Sequence, residues 1–150
     1  MKEGLLLANN DVLISIEPRF YDSIVSGEKT VELRRRAPRI APGSRIWLYC
    51  KSPVATISAV CELRDSETLP VSDLWRRHGK QLAITKSEFD VYLQNRREAT
   101  ALLLNEVQTL ENPVGLAQAR SMRLNFQPPQ FFMRLHNGCK LTTHLEHAIS

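Results

Sequence analysis

The sequence predicts an α+β domain in which a mixed, largely antiparallel sheet of five to six strands curls into a small β-barrel, flanked by about three short helices. Segments in which apolar residues alternate outnumber segments with helical spacing. Several strand-to-strand connections are shorter than the crossover that parallel neighbours require. The chain has 150 residues, 43% of them hydrophobic, and is therefore long enough to bury one sizeable core.

The N-terminal elements are predicted from alternation and from helix-end signals. Val12, Ile14 and Ile16 occupy alternate positions, which predicts a strand over residues 12–16. Pro18 suits the first turn of a helix, because its missing N–H is not needed there. Gly27 suits the end of that helix, because glycine readily takes a positive φ. The predicted helix therefore covers residues 18–26.

The remaining elements follow from the same kinds of signal. Strands are predicted over residues 30–34, 46–50, 54–63, 100–110 and 131–135, with a Pro- and Gly-containing loop over 37–43. Ser72 and Thr85 are suitable N-caps for two further helices, the first of which is expected to end near Gly79. Thr85 with Glu88 forms the capping-box pattern, which stabilises a helix start by about 1 kcal/mol.

One domain is predicted over residues 12–136, between an N-terminal extension at 1–11 and a C-terminal tail at 137–150. The tail has little apolar content and is expected to be only partly ordered. No apolar run approaches the roughly 18 residues that span a bilayer. The N-terminal leucines resemble no signal peptide. A cytoplasmic protein with no membrane association is therefore expected.

No metal site and no cofactor are predicted. Cys50, Cys61 and Cys139 form no C-x-x-C pair and match no zinc spacing. Cys50 and Cys61 lie within apolar stretches and are expected to be buried, reduced thiols. His144 and His147 are three residues apart, but they lie in the tail and are interpreted as surface residues.

The charge distribution points to one segment of the chain. The formal net charge is only +4, but Lys29 is followed by a cluster of arginines at Arg34, Arg35, Arg36, Arg39 and Arg45. A local cluster of this kind either attracts phosphate groups or keeps the edge of a sheet from aggregating.

Residues 27–34 place a glycine turn, a lysine, a carboxylate and a guanidinium within eight positions. Glu32 and Arg34 are two apart on a predicted strand, so they share a face and can pair. Lys29 has the opposite parity and can join them only if the strand begins at Thr30 or contains a bulge.

These residues resemble a known family. Gly27, Lys29, Glu32 and Arg34 match G-x-K-x-x-E-x-R, the signature of the ASCH domain family. The order of elements around the motif is also similar to that of many ASCH proteins over residues 12–135. The resemblance implies a PUA-like β-barrel with a cleft lined by the motif. It also implies RNA binding and two associated activities, hydrolysis of N4-acetylcytidine and cleavage of single-stranded RNA.

The first functional hypothesis is an RNA- or modified-nucleoside-binding domain. Cations hold phosphates and aromatic rings stack on unpaired bases. Trp47 is interpreted mainly as a core residue. The expected partner is RNA or a nucleotide-like small molecule, and the expected ligand-binding residues are Ser15, Lys29, Glu32, Arg34, Arg36 and Tyr49. Because a lysine at a strand end supports little core, Lys29→Ala is expected to weaken binding and leave the fold intact.

The alternative hypothesis is a hydrolase that acts on nucleic-acid components. Lys29 and Glu32 are its candidate catalytic residues, with Thr30 and Tyr49 as secondary candidates. For cleavage of single-stranded RNA, Lys51 joins Lys29, Tyr49 and Glu32 as a residue whose chemistry suits a base, an acid or a cation. For N4-acetylcytidine hydrolysis the sequence departs from the family pattern, with Glu32 in place of a threonine and Leu82 near an expected glutamate. A plain partner-binding protein is the third interpretation.

Overall fold

The computed structural model describes residues 11–149, which contain six strands and five α-helices. The strands are β1 (Asp11–Ile16), β2 (Val31–Arg34), β3 (Arg45–Cys50), β4 (Thr56–Pro70), β5 (Glu98–Gly115) and β6 (Met133–Leu135). The helices are α1 (Pro18–Ser26), α2 (Val71–His78), α3 (Lys86–Tyr92), α4 (Leu116–Met122) and α5 (Lys140–His147), and a 3-10 turn covers Gly79–Gln81.

The six strands form one mixed sheet in the order β2-β5-β4-β3-β1-β6. Only β1 and β3 run parallel, and the other neighbouring strands are antiparallel. The α+β class and the mixed sheet are therefore confirmed. The barrel is not, because no ladder joins β2 to β6 within residues 11–149 and the sheet stays open.

The parallel pair β1–β3 aligns the carboxyl ends of two strands. Ile16 lies opposite Cys50, the last residue of β3. The backbone N–H of Lys51 donates to the carbonyl of Ile16 at 2.9 Å. The chain therefore leaves the sheet at two adjacent points, towards Glu17 on one strand and Lys51 on the other.

The two long strands β4 and β5 extend well beyond their predicted ends. Their ladder runs from the pair Thr56–Gly115 to the pair Pro70–Glu98, with register shifts at three places. Such irregularities bend strands, and residues 64–70 of β4 lie largely exposed. Because residues 64–68 are all polar, the apolar alternation ends at Leu63, and the strand was predicted to end there as well.

Both faces of the sheet are covered. The first core lies on the face that carries Ile14, Ile16 and Leu48, under α1. The second core contains Trp47 and Tyr49 on the opposite face of β3, under α4 and α5. A third cluster packs α2 and α3 against β2 and the start of β5.

Helices α1, α2 and α3 agree closely with the sequence, but α4 and α5 were not predicted. The capping box at Thr85 is present in full. Helix α5 lies in the tail that was expected to be loosely ordered, and it packs Leu141 and Leu145, both fully buried, into the second core. Arg45 adds ion pairs to Asp11 at 2.8 Å and to Glu146 of α5 at 2.7 Å. The predicted extension at 1–11 lies almost wholly outside the described residues.

The cysteines are free thiols, two of them buried and Cys139 partly exposed. Burial raises the pKa of Cys61 to about 12, with a further contribution from the charge of Glu32. Within the described part of the chain no three His, Cys, Asp or Glu side chains are grouped to hold a metal ion. No described helix has the length and apolar character to cross a membrane.

We expect Leu145→Ala to lower the free energy of unfolding by about 3 kcal/mol, because truncating a fully buried leucine removes apolar contacts and leaves a cavity. Thr143→Ala, on the exposed face of the same helix, is the matched control. Denaturant unfolding followed by circular dichroism measures both. Equal stabilities for the two variants would show that α5 does not cover the second core.

Candidate functional site

The turn between α1 and β2 positions Lys29. Gly27 ends α1 with φ 87°, in the left-handed region that glycine tolerates best. The N–H of Lys29 then donates to the carbonyl of Ser23 at 2.9 Å. Strand β2 begins only at Val31, so Lys29 lies before the strand and escapes its alternation. Strand alternation, which would place Lys29 and Glu32 on opposite faces, therefore does not apply to Lys29.

Lys29, Glu32 and Arg34 form a buried ion network centred on the glutamate. The two oxygens of Glu32 face different cations, with Lys29 Nζ 3.5 Å from Oε1 and Arg34 Nε 2.8 Å from Oε2. Lys29 Nζ also donates to the carbonyl oxygen of Leu82 at 2.7 Å. Only 3% of Lys29 and 6% of Glu32 is exposed, so the charges depend on one another for compensation.

The environment of Lys29 lowers its pKa. Burial of the ammonium group is the largest cause, and the nearby Glu32 carboxylate opposes it. The ammonium nitrogen also lies 4.9 Å from the centroid of the Phe20 ring, within range of a cation–π interaction. Lys29 therefore packs as a core residue, contrary to the expectation that it supports little of the fold.

Arg34 joins parts of the sheet that no backbone ladder connects. Its guanidinium donates to the carbonyl of Ser15 on β1 at 2.8 Å and to the carbonyl of Phe131 at 3.2 Å. Ser15 Oγ in turn donates to the carbonyl of Pro129 at 2.7 Å. The motif arginine thus links β2 to β1 and to the segment before β6.

A cleft of about 520 Å³ opens above this network. On its walls the guanidinium of Arg36 lies 4.9 Å from the ring centroid of Phe131, and that of Arg35 lies 4.7 Å from the ring centroid of Tyr92. Both arginines are exposed. The lining also includes Arg19, Phe20, Lys29, Glu32, Arg34, Glu88 and Gln130.

The structure brings together five of the six predicted ligand-binding residues. They line the cleft and are Ser15, Lys29, Glu32, Arg34 and Arg36. Tyr49 does not join them, because it points to the opposite face of β3 and is buried in the second core, where burial raises its pKa. Trp47 lies in the same core and donates to Asp11 Oδ2 at 3.2 Å.

Thr30 and Lys51, the remaining catalytic candidates, lie in different places. Thr30 is exposed and lies outside the cleft lining, whereas Lys51 lines the cleft. Sequence reasoning missed Glu17 and Phe131 as cleft residues. Glu17 directly follows β1, and its position at the carboxyl end of a strand was the signal that could have identified it.

We expect Glu32→Gln to lower the free energy of unfolding by about 3 kcal/mol or more, because it leaves the buried Lys29 ammonium without its neighbouring anion. Glu28→Gln makes the same substitution at an exposed carboxylate four positions earlier and should leave stability nearly unchanged. Denaturant unfolding of the two variants and the wild type gives the comparison. A Glu32→Gln protein as stable as Glu28→Gln would mean that the network contributes little to the fold.

Comparison with known proteins identifies relatives across most of the chain. The ASCH domain family model matches residues 14–114. An ASCH domain-containing ribonuclease from Zymomonas mobilis is 38% identical over 120 residues, 80% of each chain. The crystal structure of ASCH from Zymomonas mobilis has a TM-score of 0.86 and 36% identity, over 93% of this chain and 96% of that one. Human THYN1, solved with 5-methylcytosine-containing DNA, shares the fold at a TM-score of 0.56 and 8% identity, over 95% and 99% of the two chains. The chain belongs to the ASCH domain family.

Proposed function

We propose that this ASCH domain binds single-stranded RNA in the cleft above Lys29, Glu32 and Arg34, and that it cleaves the RNA there. The observation that carries the proposal is the pairing of exposed guanidinium groups with aromatic rings on the cleft walls. The similarity to a ribonuclease supports the cleavage step.

The cleft walls have the chemistry that unpaired nucleotides require. Bases of single-stranded RNA stack on aromatic rings and on guanidinium planes. The pairs Arg36–Phe131 and Arg35–Tyr92 offer both surfaces side by side. A cleft of about 520 Å³ has the size of a small-molecule site, which suits a nucleotide and not a base-paired helix.

The cations of the cleft divide into two groups with different tasks. Lys29 and Arg34 are held by Glu32 and by backbone carbonyls, so they shape the floor. Arg35, Arg36 and Lys51 are exposed and free of carboxylate partners among the described residues. These exposed groups are the ones available to phosphates of the backbone.

Hydrolysis of N4-acetylcytidine, the other hydrolase alternative, is less well supported by the geometry. The side chain of Leu82 is buried in the third cluster, and the residue offers Lys29 only its backbone carbonyl. Both oxygens of Glu32 already face cations. Glu32 and Leu82 therefore do not supply the threonine hydroxyl and the additional carboxylate that the family's amidohydrolase pattern implies at these two positions.

We expect Arg36→Ala to weaken binding of a short single-stranded RNA and to reduce the slope of log affinity against log salt by about 0.7, the value for one lost phosphate contact. Arg64→Ala, which removes an exposed arginine outside the cleft, is the matched control. Fluorescence anisotropy at several salt concentrations measures binding, and gel electrophoresis of the same RNA measures cleavage. Tighter binding to duplex RNA, or equal behaviour of the two variants, would contradict the proposed site.

A further inference from the structure

We infer that Glu17 and Lys51 are the two groups that move protons during RNA cleavage, with Glu17 as the base and Lys51 as the acid. The inference rests on the proposed ribonuclease function. It assigns the chemistry to residues outside the G-x-K-x-x-E-x-R motif.

The two side chains emerge at adjacent points of the sheet. Glu17 directly follows β1 and Lys51 directly follows β3, and these are the two parallel strands. The N–H of Lys51 is bonded to the carbonyl of Ile16, the residue before Glu17. Both residues line the cleft.

Neither side chain is held in place by a partner within residues 11–149. Each is exposed, and neither side chain has an ion pair or a hydrogen bond to any other described residue. Glu17 is the N-cap residue of α1, yet its side chain makes no capping hydrogen bond. The Glu17 carboxylate therefore does not stabilise the start of α1 through a hydrogen bond.

The motif residues are poorly placed for the same work. Glu32 is 6% exposed and lies between Lys29 and Arg34, so a proton on its carboxyl would leave two cations without their anion. Lys29 holds the Leu82 carbonyl and faces inward. The acidic residue Glu88, also in the lining, is paired with Arg19 and closes the capping box of α3.

The reaction step balances with these two groups. The Glu17 carboxylate takes the proton of a ribose 2′-hydroxyl, and the 2′-oxygen forms a bond to the adjacent phosphorus. The bond from phosphorus to the 5′-oxygen breaks, and the Lys51 ammonium gives a proton to that leaving oxygen. The products are a 2′,3′-cyclic phosphate and a free 5′-hydroxyl. Water then exchanges the protons and restores both side chains.

The test compares Glu17→Gln and Lys51→Met with two controls outside the cleft, Glu28→Gln and Lys80→Met, all with the chain otherwise unchanged. Each of the two cleft variants should cleave a single-stranded RNA at least about 100-fold more slowly, the usual contribution of one acid or base. RNA affinity should change by less than about threefold for Glu17→Gln, since the effect belongs to the chemical step. The controls should cleave like the wild type.

A second substrate separates the two roles. An RNA with sulfur in place of the bridging 5′-oxygen has a leaving group that needs no proton. It should restore cleavage by Lys51→Met and leave Glu17→Gln slow. A substrate with a 2′-deoxy residue at the cleaved position should be bound and remain intact.

The outcomes distinguish this inference from the function on which it rests. If the wild type cleaves RNA and Glu17→Gln cleaves it equally fast, the assignment of the pair is wrong and the ribonuclease proposal stands. If the wild type binds RNA without cleaving it, both the cleavage proposal and the pair are wrong. Cleavage of the 2′-deoxy substrate would also overturn the assignment, because the step requires the 2′-hydroxyl.

Discussion

The carboxylate of Glu32 is the group on which the site depends. It lies 2.8 Å from Arg34 and 3.5 Å from Lys29, and almost none of it reaches solvent. Buried charges are tolerated only when they compensate one another. Removing any one of these three side chains would therefore leave a buried charge without its partner and destabilise the fold. Arg34 extends the network to the carbonyls of Ser15 and Phe131. These hydrogen bonds connect β2 to β1 and to the segment before β6, although no backbone ladder joins them in the open sheet.

The motif residues and the exposed arginines of the cleft have different surroundings. The motif residues form a floor whose hydrogen bonds are already satisfied within the protein. The walls carry arginines that are exposed and stacked on rings, as with Arg36 on Phe131. Under the proposed function, the exposed guanidinium groups are the ones that would contact the phosphates of the RNA backbone. Lys29, Glu32 and Arg34 therefore have a structural role in this chain, because they hold one another and the neighbouring backbone carbonyls.

Local signals predicted the elements near the site, and tertiary contacts decided the rest. Helix α1 was predicted at its observed bounds because Pro18 and Gly27 act within their own turns. Helix α5 was missed because it has few apolar residues. Leu145 is buried only through its packing in the same core as Trp47, which lies on a distant strand. The strand predicted over residues 46–50 is present, but alternation could not show that both of its faces are covered. The Tyr49 hydroxyl, expected in the cleft, is consequently buried beneath two unpredicted helices.

The pairing of the other charges explains why one carboxylate of the cleft stays available. A free carboxylate beside several arginines would ordinarily form an ion pair with one of them. Here Arg34 is occupied by Glu32 and Arg19 by Glu88, so two of the surrounding guanidinium groups already have anions. Arg35 and Arg36 lie over aromatic rings. Glu17 therefore has fewer cationic partners to pair with and is unpaired among the described residues, whereas Arg35 and Arg36, which also lack a carboxylate partner there, are the groups that the proposed function assigns to phosphate.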